Sequence, residues 1–187
     1  EGMTIDRKPL KEHLEVIGHK DAFEYVLGLV QDKVPLSEKV IKDIHSLVLI
    51  DRPDDKGTYR RIPVRIMGAN HEPPQPYLVP VQMEHLLSNQ EEMADTMHIV
   101  ERVSLFHLLF ESIHPFIDGN GRTGRLLLNL ELLTAGFPGI NVKFTDRKQY
   151  YDCFASYYET NSSEKMTMLV GGYVEEMLDR YLNILRS

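Results

Sequence analysis

Apolar residues recur at intervals of three and four in seven stretches, and this period predicts helices. Residues 9–31 carry Leu10, Leu14, Ile17, Phe23, Val26, Leu27 and Val30, with Pro9 at a permissive first-turn position and Pro35 just beyond the end. Ser37 stands as an N-cap before a second stripe of Val40, Ile41, Ile44, Leu47 and Val48. Between 80 and 113 the pattern predicts one helix around Val81, Met83, Leu86 and Leu87, and another through Val103, Phe106, Phe110 and Ile113. The latter is apolar nearly all round, as expected of a central buried helix. Residues 122–135 repeat that character, closed by Gly136 and Pro138. Two more helices are predicted around 147–159 and 166–185.

The period breaks between Asp51 and Pro80. Turn residues run from Asp51 to Gly57, an alternating stretch follows through Ile62, Pro63, Val64, Arg65 and Ile66, and Gly68 turns it before four prolines. Pro63 cannot donate to a ladder, so this reads as an edge strand or one small β-hairpin on an otherwise all-α fold. An unpaired edge is also a place where an extended segment of a partner can dock. No internal repeat or linker divides residues 1–187, and the expectation is a single domain.

With 187 residues the chain needs no disulfide or metal to fold, and its one cysteine, Cys153, excludes an intramolecular disulfide and any CxxC motif. A lone thiol fits a reducing compartment, and the expected location is cytoplasmic. The net charge of −7, with no concentrated basic helix, weighs against a nucleic-acid partner. No stretch is apolar enough to span a membrane, so no membrane partner is expected.

The chemistry is concentrated between the two most apolar helices, in His114-Pro115-Phe116-Ile117-Asp118-Gly119-Asn120-Gly121-Arg122-Thr123-Gly124-Arg125. A plain turn would join two core helices, yet this joint is polar and rich in glycine. Gly119 and Gly121 permit positive φ, so successive N–H groups can point into one concavity at a helix N-terminus. Arg122 and Arg125, three apart, project from the same side of the first turn. Together these form an anion cradle suited to phosphates. Asp118 at its lip can hold a Mg²⁺ that bridges phosphates. His114, closing the preceding helix, titrates near neutrality and can accept a proton from an attacking hydroxyl.

The run resembles the HxFx(D/E)GNGRxxR signature of the Fic family at every fixed position, and residues 57–74 look like that family's flap over the active site. The resemblance implies a Fic-type helical bundle with one small β-hairpin. It implies a protein adenylyltransferase, moving AMP from ATP to a Ser, Thr or Tyr hydroxyl of a target protein and releasing pyrophosphate. On that reading His114 is the general base, Asp118 the Mg²⁺ ligand, and Gly119, Asn120, Gly121, Arg122, Gly124 and Arg125 the ATP-phosphate site. Phe116 is a core anchor. Tyr150 and Tyr151 resemble residues that flank the adenine, with Asn161 a candidate for the base only if the register shifts. Ile62, Pro63, Val64, Arg65 and Ile66 would pair with the target's main chain. Self-modification and a homodimer also fit the family.

Many relatives carry an inhibitory helix ending in Glu-Gly or Glu-Asn. Glu1-Gly2 matches that tail superficially, but the expectation is that the inhibitory segment lies upstream of this chain and leaves Arg125 free for ATP. The 160–164 stretch has the spacing but not the following residue. Alternatives remain open: transfer of UMP, phosphocholine or phosphate, removal of AMP, or a non-catalytic nucleotide-binding regulator. Gly121 stands where the phosphate-transferring branch has Lys.

Overall fold

Seven α-helices account for the regular structure of the computed structural model, which describes residues 10–186. They are α1 (Leu10–Gln31), α2 (Glu38–Val48), α3 (Val79–Glu92), α4 (Ile99–Ile113), α5 (Asn120–Thr134), α6 (Arg147–Thr160) and α7 (Glu164–Arg186), with 3₁₀ turns at Pro76–Leu78 and Phe144–Asp146. Pro9 and the Glu1-Gly2 pair lie outside the described residues. Local chemistry sets the boundaries: Ser37 Oγ accepts the Val40 N–H at 3.3 Å to cap α2, and Gly136, at φ +80°, follows the end of α5.

The all-round apolar character of α4 and α5 follows from their place between two layers. On one side Phe106, Phe110 and Ile113 of α4 and Leu126, Leu127 and Leu130 of α5 pack with α1, α2 and α3. On the other, Val100, Val103 and Leu108, with Leu128 and Leu132, pack with α6 and α7. Each helix thus feeds two cores, and the junction between them, residues 114–119, is anchored in the first through Phe116. In α1 the apolar stripe splits: Ala22, Val26 and Leu29 are buried, whereas Phe23 and Leu27 are part-exposed along a groove shared with Tyr181 of α7.

The expected β-hairpin does not form a ladder; among the described residues there is no β-strand. The chain does turn back, with the Ala69 N–H donating to Ile66 O at 3.2 Å and Gly68 at φ +81°, but no backbone hydrogen bond joins the two arms. Proline is the first reason, because Pro63 on one arm and Pro73 and Pro74 on the other have no N–H to donate. Arg60 is the second. Its guanidinium takes the carbonyls of Ile62 and Pro74, one from each arm, at 3.3 and 2.6 Å. A charged side chain thus does what a ladder would have done, and residues 61–63 and Met67 remain exposed.

Candidate active site

The loop between α4 and α5 owes its shape to side chains that turn inward. Asn120 spends its amide on Phe116, accepting the Phe116 N–H at 2.9 Å and donating to Phe116 O at 2.8 Å. Phe116 is fully buried and stacks on His45 of α2, ring centroids 3.6 Å apart. His45 then ties the loop to α2. The Gly57 N–H donates to His45 Nδ1 at 2.9 Å, so Nε2 carries the proton and donates to Asp118 O at 3.0 Å. Burial lowers the His45 pKa to about 4, which keeps the ring neutral in this role.

His114 occupies the C-cap of α4 in the left-handed region, at φ +49° and ψ +61°. A non-glycine residue there is held by its surroundings. Its N–H donates to Phe110 O at 3.0 Å, and its carbonyl accepts from Arg60 Nε at 2.8 Å. In the ring, Nδ1 lies 3.3 Å from Glu111 O, an acceptor that selects the tautomer with the proton on Nδ1 and leaves Nε2 as a base. Burial, first, and the Arg60 charge push the pKa below its ordinary value, so the neutral form dominates at pH 7.

Gly119, at φ +75°, starts α5, and no side chain caps that helix. Its first N–H groups therefore face outward unpaired by the helix itself, with the positive end of the dipole behind them. Arg122 and Arg125 line a cleft of about 690 Å³ beside this turn, with His19 and Glu15 of α1 and Tyr151 of α6 on its other walls. Arg122 stands 3.8 Å from Glu15 and 3.9 Å from Asp118. A Cβ at Gly121 would come within 3.3 Å of Arg125 Nη1, so the glycine leaves that guanidinium its room. His114 does not line this cleft.

Asp118 is half-exposed at the loop's rim, with Oδ1 accepting the Gly119 N–H at 2.6 Å. No group of three or more His, Cys, Asp or Glu side chains suited to a metal occurs among the described residues, which excludes a cage built by protein alone. One accessible carboxylate beside an anion cradle does suit Mg²⁺, which keeps several waters and shares its shell with phosphates.

The structure places the remaining sequence-predicted residues as follows. Gly124 is buried against α4, where a Cβ would stand 2.5 Å from Glu111 Oε1 and 3.0 Å from His107 Cε1. Tyr150 and Tyr151 both line the cleft, their rings 5.6 Å apart, but at different depths. Tyr150 is buried, its hydroxyl 2.7 Å from His107 Nε2, whereas Tyr151 is half exposed beside Arg147. Asn161 caps α6 in the left-handed region and is exposed, not directed into the cleft. The sequence reading also missed His71, which stacks on Tyr158 at 4.3 Å and bonds Ser112 O at 2.9 Å, pinning the flap's return arm.

Fold and site together define a helical protein in which a histidine closes one core helix and an uncapped anion cradle opens the next. The chain belongs to the Fic/DOC family, whose model matches residues 35–132. It is 35% identical over 185 residues to the Protein adenylyltransferase Fic of Drosophila grimshawi, covering 96% of this chain and 37% of that protein. To the protein of the same name from Nematostella vectensis it is 35% identical over 186 residues, covering 96% and 42%. The chain thus spans well under half the length of these relatives. Among solved structures, Fic-1 from C. elegans superposes with a TM-score of 0.86 at 28% identity, over 99% of this chain and 55% of that one. A Fic-domain signaling protein from Bacteroides thetaiotaomicron gives 0.77 at 27% identity, over 89% and 69%.

Proposed function

We propose that the chain is the catalytic module of a protein adenylyltransferase, transferring AMP from ATP to a Ser, Thr or Tyr hydroxyl of a protein target. The observation that carries this reading is the loop itself: one turn carries a histidine with a free Nε2 and an uncapped helix N-terminus flanked by two arginines. The curated relatives named protein adenylyltransferases support it.

In this reading His114 Nε2 takes the proton from the target hydroxyl as its oxygen bonds to the α-phosphorus. The bond from that phosphorus to the bridging oxygen breaks, and pyrophosphate leaves with the electron pair. The N–H groups opening α5, with Arg122 and Arg125, receive the charge that develops on it. The proton stays on the His114 ring until solvent takes it. Asp118 would hold a Mg²⁺ ion, whose part is to neutralise phosphate charge. Tyr151, exposed on the cleft wall, offers a stacking face for the base. The target strand would lie along Ile62–Ile66 of the flap by position, its main chain meeting backbone that forms no ladder within the flap; a surface hydroxyl of a second copy is one such target.

The test is label transfer with Mg²⁺, using ATP labelled at the α- or the γ-phosphate, with His114→Ala as control. Label from the α position alone, lost in the variant, is the expected result. Label from the γ position would overturn the reading in favour of phosphate transfer. No label from either, with ATP still bound, would favour a nucleotide-binding regulator.

A further inference from the structure

Glu111 is a buried carboxylate on an inward face of α4, one turn before His114. Its Oε2 lies 3.8 Å from His114 Nδ1, while Oε1 is buried with no hydrogen-bond partner. The space it fills exists because residue 124 is glycine: a Cβ there would sit 2.5 Å from Oε1. His107, one turn further back on the same face, is fully buried and bonds the Tyr150 hydroxyl at 2.7 Å. Folding alone gives no reason to place a carboxylate here, since an apolar side chain would fill the space without an orphaned oxygen. What the position does offer is the Nδ1 edge of the His114 ring.

We propose that Glu111 is a positioning residue for His114, its carboxylate holding the Nδ1–H tautomer and stabilising the imidazolium that forms when Nε2 takes a proton. A small rotation of the ring brings the Nδ1–H from the Glu111 carbonyl toward the Glu111 carboxylate, both on one residue. The proton taken from the hydroxyl stays on Nε2; the carboxylate gains none, but pairs with the positive ring.

The surroundings decide which charge state is present. Facing Glu111 are His107 on its own helix, held neutral by burial, Arg125 from α5, and Tyr150 and Tyr158 from α6. Facing His114 are Arg60 and His71, which disfavour the imidazolium, and Asp118, which favours it. Burial raises the Glu111 carboxyl to about 7, with Arg125 opposing, and His114 lies below its ordinary value. The carboxylate form of Glu111 is therefore the one present above neutrality, beside a His114 ring that burial keeps neutral.

The inference rests on His114 as base, so the test has one arm independent of activity. In the full chain, NMR titration of the His114 imidazole compares the wild type with Glu111→Gln. The expected result is a second step in the His114 ring resonances of the wild type near pH 7, as the neighbouring Glu111 carboxyl titrates, and its absence from the variant. In the α-label assay the acid limb of kcat/KM moves to lower pH and the plateau kcat falls roughly 10- to 100-fold, with KM for ATP unchanged. Glu111→Asp, which keeps the charge one methylene back, shows smaller changes in the same direction.

The absence of that second step from the wild type, or an unmoved acid limb in Glu111→Gln, would overturn the proposal. So would a rise in KM for ATP alone, which would mean that Glu111 serves Arg125. A second step that Glu111→Gln abolishes, in a protein that transfers no label, would uphold the pairing and overturn the adenylyltransferase reading instead.

Discussion

Arg60 Nε donates to the carbonyl of His114 at 2.8 Å, so the residue that roots the flap also holds the backbone of the proposed base. The same guanidinium reaches Ile113 O at 3.3 Å, as well as Ile62 O and Pro74 O, and the Arg60 N–H donates to Pro115 O at 2.9 Å. Two segments about 50 positions apart in sequence are thereby joined through carbonyls that have no other side-chain donor in this region. Arg60→Ala should lower stability by about 3 kcal/mol, because it leaves several of those carbonyls buried and unpaired. Urea unfolding checks this, and Arg60→Lys, without the planar fork, should recover only part of the loss.

Arg125 is expected to act on the nucleotide. Removing a guanidinium that contacts phosphate forfeits a charge-assisted hydrogen bond, so Arg125→Ala should weaken ATP binding by about 10- to 100-fold. Titration calorimetry with ATP and Mg²⁺ measures it.

Gly124→Ala sets two effects against each other. In a helix interior alanine gains about 1 kcal/mol over glycine. Here the new methyl would lie 3.0 Å from the His107 ring and 2.5 Å from Glu111 Oε1, both in a packed interface. Overpacking of this kind costs about 1–3 kcal/mol, so the variant should be less stable than the wild type, as thermal unfolding would report. Gly136→Ala is strained for a different reason, its φ of +80°, and has open space around it.

Acid should destabilise the protein in a definite window. His45 and His107 have folded pKa values of about 4 and about 3 against an ordinary 6.5, so the unfolded chain binds their protons first. Each contributes stability that is complete above 6.5 and lost as pH falls, at up to roughly 1.4 kcal/mol per unit. Glu111 runs the other way: raised from 4.5 to about 7, it favours the folded state as pH falls through that range and offsets one histidine. Between pH 6.5 and 4.5 the net loss from these three groups is about 2 kcal/mol. Urea titrations at both values should show it, and His45→Gln should flatten most of the difference, whatever its own effect on stability at pH 6.5.

The helices were legible because their cause is local and periodic. Ser37 capped α2 as the sequence predicted, and the apolar runs marked α4 and α5 as buried helices, which the fold places between two cores. The dense loop was legible for a different reason, since glycine, aspartate and arginine have no business between two core helices unless they bind something. What stayed hidden were relationships made across the chain. Arg60 reads as one more flap residue until its fork is seen on four carbonyls. His45 lies on the buried stripe of α2, four residues after Ile41, and only the fold shows that it stacks on Phe116. Glu111 did leave a trace, a charged residue inside an apolar helix. The missing ladder in the flap was half-visible too: proline signalled weak pairing, but not that an arginine would replace it.

The N-terminus of α5 differs from that of α2 in one respect with a measurable outcome. At α2 the chain brings its own acceptor, Ser37, to the open N–H groups; at α5 it brings none. An oxyanion seated there completes the helix as Ser37 completes the other, and because it leaves again, the fold's stability becomes tied to how much of that anion is in solution. At a hundred times its dissociation constant the gain is about 2.7 kcal/mol. A melting temperature that climbs with pyrophosphate, and not with an equal ionic strength of chloride, would thus read the occupancy of the loop without any turnover.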